Sequence, residues 1–113
     1  MNPYLKRNRI PRHGQLAEKR AAKRLGGRLT PASGAKDGAK GDITKSQFLI
    51  ESKATKHASI TIKLAWLDKI SKEAEDSGKV PAMILQFVDV AGNPWRGSGW
   101  FLVPERIFNE LSE

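Results

Sequence analysis

Asp42, Glu51 and Lys53 are the residues whose types and spacing best suit chemistry. They lie in Gly41-Asp42-Ile43-Thr44-Lys45-Ser46-Gln47-Phe48-Leu49-Ile50-Glu51-Ser52-Lys53-Ala54, which reads as a strand, a turn and a second strand. Side chains alternate along a strand, so Glu51 and Lys53 leave on one face, roughly 6–7 Å apart. Phe48, Ile50 and Ala54 leave on the other face, which reads as core. If the two strands pair as a hairpin, Asp42 falls beside Glu51 across the ladder. Two carboxylates and a lysine at one spot suit a divalent-metal site with an acid/base or charge-stabilising partner.

The elements that must position these residues follow from periodicity. From Gly14 to Leu25, Leu16, Ala17, Ala21, Ala22 and Leu25 recur at helical spacing, and Gly26-Gly27 supplies a stop. Glu18 falls along the same inward stripe, so it is either a satisfied core carboxylate or a third metal ligand. Arg28-Leu29-Thr30 is a short strand ended by Pro31, and residues 32–41 form a basic, glycine-rich loop leading into Asp42. That loop lacks the Gly-Lys-Ser/Thr ending of a phosphate-binding P-loop.

After the hairpin, Ile60 and Ile62 alternate with polar neighbours over Ser59–Lys63, which suggests a strand or an extended crossover. Residues 65–77 are helical, with Trp66, Leu67, Ile70 and Ala74 on one face and Gly78 as cap. Ala82 to Val90 is a nearly continuous apolar run, as in a strand covered on both sides. A turn at 91–94, a last strand at 99–103 and a short helix from Pro104 to Leu111 complete the order. The expected class is α/β, a single domain with a central mixed β-sheet flanked by helices.

Bulk properties narrow the partners. The 113 residues suffice for one modest core, preceded by a basic N-terminal arm over residues 1–13. There is no cysteine, so disulfides, thiolate zinc sites and cysteine nucleophiles are excluded. His13 and His57 are isolated, which disfavours a transition-metal enzyme. With no membrane span or signal-peptide pattern, a cytoplasmic location is expected. The net charge is +8, but residues 1–63 carry 15 Lys/Arg against 4 Asp/Glu, while residues 64–113 carry 5 against 8. Positive charge is therefore gathered around the site, as suits a polyanion such as nucleic acid. Arg7, Arg9 and Arg12 in the arm, Lys19 on the first helix, Lys36 and Lys40 in the loop, and Lys56 after the hairpin are the candidate DNA contacts.

An inward Glu on the first helix, Gly-Asp at a strand mouth and Glu-x-Lys on the next strand resemble the PD-(D/E)xK nuclease superfamily. The chain is most similar to its archaeal and phage-type Holliday junction resolvases. Gln15-Leu16-Ala17-Glu18, Phe48-Leu49-Ile50-Glu51-Ser52-Lys53, Gly78-Lys79-Val80-Pro81 and Gly99-Trp100-Phe101-Leu102-Val103-Pro104 fall in the family's order over roughly residues 9 to 104. Gly41 stands where the family usually has proline, and Lys19 where arginine is often found.

The resemblance implies a restriction-endonuclease-like fold and a Mg²⁺- or Mn²⁺-dependent endonuclease. Asp42, Glu51 and the main-chain carbonyl of Ser52 would hold the ion, with Glu18 bound directly or through water. Lys53 would handle the attacking water or offset charge on the phosphate. By position, Ser33 corresponds to a serine that assists cleavage, with Thr30 the nearby alternative. A four-way junction has two-fold symmetry, so a homodimer is implied, acting without a small-molecule cofactor. Its pairing face would be the 65–77 helix, unless Trp66 simply packs in the core, or the segment with Trp100 and Phe101, while Trp95 and Arg96, in a turn after Pro94, could be exposed and could stack or grip backbone. The alternatives are a small phage nuclease of the same superfamily acting on flap, fork or duplex DNA, and a non-catalytic basic nucleic-acid-binding module in which Glu51 and Lys53 form a salt bridge.

Overall fold

Long strands with apolar residues on both faces require cover on both sides, and the chain meets that requirement with one helix per face. The computed structural model describes residues 13–31, 41–97 and 99–113. Helix α1 (His13–Leu25) is followed by strands β1 (Arg28–Pro31), β2 (Gly41–Lys45) and β3 (Phe48–Thr55). Helix α2 (Leu64–Asp76), strand β4 (Val80–Phe87), a 3-10 turn (Trp95–Gly97), strand β5 (Trp100–Leu102) and helix α3 (Glu105–Leu111) complete it. The five strands form one mixed sheet in the order β1-β2-β3-β4-β5. β3 and β4 are parallel and the other neighbouring pairs antiparallel. A parallel pair needs a crossover, and α2 provides it.

Alternation along β3 and β4 sorts the core into two layers. Ile50, Ala82 and Ile84 point to one face and pack with Ile43 and with Ala21 and Ala22 of α1. Leu49 and Met83 point to the other and pack with Ile70 and Ala74 of α2. Small residues on the α1 stripe let that helix lie close to the sheet; Ala17 and Ala21 are fully buried. Helices α1 and α2 each end on a glycine with left-handed φ, Gly26 at 69° and Gly78 at 66°, a conformation that a side chain would strain.

The alternation of Ile60 and Ile62 does not become a strand. β3 takes its partners from β2 and β4, and residues 59–63 run unpaired from its end to the start of α2. Pro104 serves as the N-cap of α3 instead of its first helical residue. Among the described residues, no helix is long and apolar enough to cross a membrane.

One buried polar side chain ties the α1 layer together. Gln86 is fully buried on β4, on the face that α1 covers. Its Nε2 donates to the Ala17 carbonyl at 3.4 Å and to Ser52 Oγ at 3.3 Å, while its Oε1 accepts from Arg24 at 2.9 Å. Arg20 Nε donates to the Ala91 carbonyl at 2.9 Å, so two of the four basic residues on the outer side of α1 have structural work. Replacing Gln86 with Leu keeps bulk but removes these bonds, and is expected to cost about 1–3 kcal/mol. Urea denaturation should show a lower midpoint at an unchanged slope.

Candidate active site

The geometry of the site is set by a two-residue turn. Lys45 pairs with Phe48, Thr44 with Leu49 and Ile43 with Ile50, leaving Ser46 and Gln47 as the connection. Ser46 takes a φ of 51°, the left-handed backbone that tight hairpin turns use. One further step along this register sets Asp42 opposite Glu51. On the other side of β2, Thr30 pairs with Asp42. Directly opposed residues share a sheet face, so Thr30, Asp42 and Glu51 form a row, with Lys53 two residues beyond. Ser33 lies outside the described residues, as do Arg7, Arg9, Arg12, Lys36 and Lys40. Lys19 and Lys56 are exposed.

The β3 end of this row lies under α2, while Asp42 is half-buried and Thr30 exposed. Glu51 is buried, and its Oε1 is 3.5 Å from Lys69 Nζ on that helix. Lys69 also approaches Glu73, one turn further on, at 3.6 Å. Lys53 does not turn back to Glu51 in the salt bridge that a bare Glu-x-Lys strand would favour. Its ammonium stands over the ring of Trp66, 4.2 Å from the centroid, held by the negative face of the indole. Trp66 is half-buried against the α2-side core, so its ring is engaged within the fold.

Crowding of carboxylates shapes the electrostatics. Burial, then the charges of Glu51 and Glu73, push Asp42 up to about 7, against a smaller opposing effect of Lys69. Burial alone would lower Lys69, but the charges of Glu51, Glu73 and Asp42 outweigh it and raise the ammonium above its ordinary value. Oε1 of Glu73 is buried with no hydrogen-bond partner among the described residues. A protonated Asp42 is the donor that stands near it.

Glu18 stands elsewhere. α1 covers the sheet face that carries Ile50 and Ser52, opposite to the face of Glu51. Glu18 is buried there and reaches the end of β3 by another route. β3 outruns its pairing with β2, and a cavity of about 350 Å³ opens along its end, lined by Glu18, Ser52, Lys53, Thr55 and Trp66 among others. Glu18 and Lys53 thus meet the same cavity from opposite faces, while the Asp42–Glu51 pair lies beside it. Among the described residues, no three His, Cys, Asp or Glu side chains converge as a complete metal cage.

What remains is a two-carboxylate site. Mg²⁺ characteristically takes one or two carboxylates and fills its shell with water, so Asp42 and Glu51 fit such an ion without a third side chain. The raised Asp42 reflects burial first and then the charges of Glu51 and Glu73, only partly offset by Lys69. Lys69 and Glu73 carry no motif. Their signal is their place beside the inward stripe of α2, at the three- and four-residue spacing of Trp66, Ile70 and Ala74.

Trp95, 64% exposed, and the exposed Arg96 sit in the turn before β5. On β5, an edge strand, Trp100 and Phe101 are 71% and 52% exposed. Compared with protein-family models, curated proteins and solved structures, the chain matches none.

The Asp42 shift has a testable sign. Its folded-state value of about 7 exceeds its ordinary 3.8, so the folded form holds a proton that the unfolded form releases. The associated stability is fully present below about pH 4 and is lost as pH rises through about 7. In chelator, wild-type stability should therefore fall from about pH 5 to about pH 8 relative to Asp42→Asn. Urea melts of both proteins at the two pH values give the comparison, and parallel profiles would show that Asp42 keeps an ordinary value.

Proposed function

We propose that this chain is a divalent-metal-dependent DNA endonuclease of restriction-endonuclease-like fold, cutting four-way junctions as a homodimer. The observation that carries the reading is the hairpin register, which continued one step past the Ile43–Ile50 pair sets Asp42 opposite Glu51, with Lys53 two residues along on the same face. Three features support it. The sheet is mixed with one helix on each face, as that fold requires. The Lys69 ammonium faces the carboxylates of Asp42, Glu51 and Glu73, and the half of the chain that bears the pair carries most of the positive charge.

Asp42 and Glu51 would hold Mg²⁺ or Mn²⁺, with the Ser52 carbonyl next in line on β3. When bound, such an ion would supply Lewis-acid polarisation of the phosphate and activation of the attacking water. Lys53, its ammonium over the Trp66 ring, would offset charge that builds on the phosphate. Glu18, across the cavity from Lys53, is placed to orient water at its mouth and not to join the carboxylate pair. Thr30, adjacent to Asp42, takes the hydroxyl role considered for the loop. Exposed Lys19 and Lys56 would grip backbone phosphates, which carry affinity but no sequence reading. The exposed aromatics of β5 leave that edge as the pairing face, since Trp66 is engaged within the fold. The four-way junction as substrate rests on the family resemblance alone.

A second reading has one observation in its favour. Lys69 already satisfies Glu51, so a basic DNA- or RNA-binding module with a purely structural ion pair is compatible with the same geometry. Cleavage assays separate the two. With Mg²⁺ or Mn²⁺, the wild type should cut four-way junctions in preference to flap and linear duplex DNA. Asp42→Asn and Glu51→Gln should each lose roughly a hundredfold or more of the rate, while binding is kept. Equal cutting of linear duplex would remove the junction specificity. Salt-sensitive binding without metal-dependent cleavage would leave only the binding module.

A further inference from the structure

The carboxylate site is closed by a cation of its own. Lys69 Nζ stands 3.5 Å from Glu51 Oε1 and 3.6 Å from Glu73 Oε2, and its charge also acts on Asp42. No other described lysine or arginine forms an ion pair with these carboxylates within 4 Å. Lys53, the nearer residue in the motif, is held on Trp66 instead. The two ends of the Lys69 pairing differ in freedom. Glu51 is fixed on a central strand with 4% of its side chain exposed, whereas 55% of the Lys69 side chain is exposed. Lysine is a compact charge on a flexible four-carbon stem. It can leave toward solvent without disturbing the core, and Glu51 cannot follow.

We infer that Lys69 is an internal placeholder for the divalent ion. Its ammonium holds Glu51 while the site is empty of metal, with Glu73 as its second partner on α2, and would swing outward toward Glu73 and solvent when an ion takes over the charge of Glu51. The identity of the ion rests on the metal-dependent reading above; the placeholder role rests on the geometry of α2. Such an arrangement keeps the carboxylates from repelling one another apart before the ion arrives. Metal affinity is correspondingly reduced, because the ion must displace an existing charge. Lys69 is thus a positioning residue, whose effect reaches the reaction through Asp42 and Glu51.

Two measurements test this. The first is Mn²⁺ titration of wild type, Lys69→Met and Lys69→Arg, by calorimetry or electron paramagnetic resonance. Lys69→Met should bind Mn²⁺ roughly tenfold more tightly, since a unit positive charge near the ion is gone, and should melt at a lower temperature in chelator. Lys69→Arg, which keeps the charge, should stay close to wild type. Equal or weaker binding by Lys69→Met would overturn the inference. The second measurement uses the wild type and so does not depend on a variant folding. Amine labelling of Lys69 should rise several-fold on saturation with Mg²⁺, while labelling of Lys72, exposed on the same helix, stays constant. A flat Lys69 response while the metal binds would equally defeat it. The two proposals fail separately. Tighter binding by Lys69→Met in a protein that never cuts DNA keeps the placeholder and removes the nuclease. Metal-dependent cutting with affinity unaffected at position 69 does the reverse.

Discussion

The register of the β2–β3 hairpin is the constraint on which the site depends. A two-residue turn at Ser46-Gln47 brings Lys45 to Phe48, and every later pairing follows from it. Because side chains alternate with a period of two, a slip of one residue would send Glu51 and Lys53 to the α1 face and Ile50 to the α2 face. Both layers of the core oppose such a slip, since Ile50 packs against α1 and Leu49 against α2. The site is therefore held in place by hydrophobic packing on both sides of the strand that carries it.

Packing also creates the electrostatic problem of the site. Covering the sheet with α2 buries Glu51, leaves Asp42 half-buried and adds Glu73 to them. Carboxylates in such a place need a proton, an ammonium or a metal ion. The structure shows the first two remedies at once: Asp42 is held toward its protonated form, and Lys69 reaches in from α2. Neither is tightly built into the core, as Lys69 is largely exposed and Asp42 releases its proton near neutrality. Compensation that is easily displaced suits a site that exchanges one cation for another.

Much of the local structure was legible in the chain. Glycines at 26 and 78 end helices whose apolar spacing announces them, and the long apolar run at 82–90 marks a strand covered on both faces. Alternation placed Glu51 with Lys53, and turn length placed Asp42 with Glu51. Local pattern was ambiguous at 59–63, where alternation gives an extended chain but cannot supply a partner strand. It was silent on Gln86, a polar residue within an apolar run, whose three bonds reach residues 17, 24 and 52.

The division has a physical cause. Periods of 2 and 3.6 are properties of neighbouring residues, so the sequence alone determined the elements, their inward stripes and the charge gathered in the first half of the chain. Helical period shows that Glu18 points inward, yet not which face of the sheet its helix covers. Only tertiary packing decided that α1 takes the Ile50 face, which parts Glu18 from Asp42 and Glu51 and leaves it to meet Lys53 around the end of β3. The same packing lays α2 over the other face, bringing Lys69 and Glu73 to the carboxylates and Trp66 to Lys53. Those contacts arise from the shape of two buried layers, which no local spacing records.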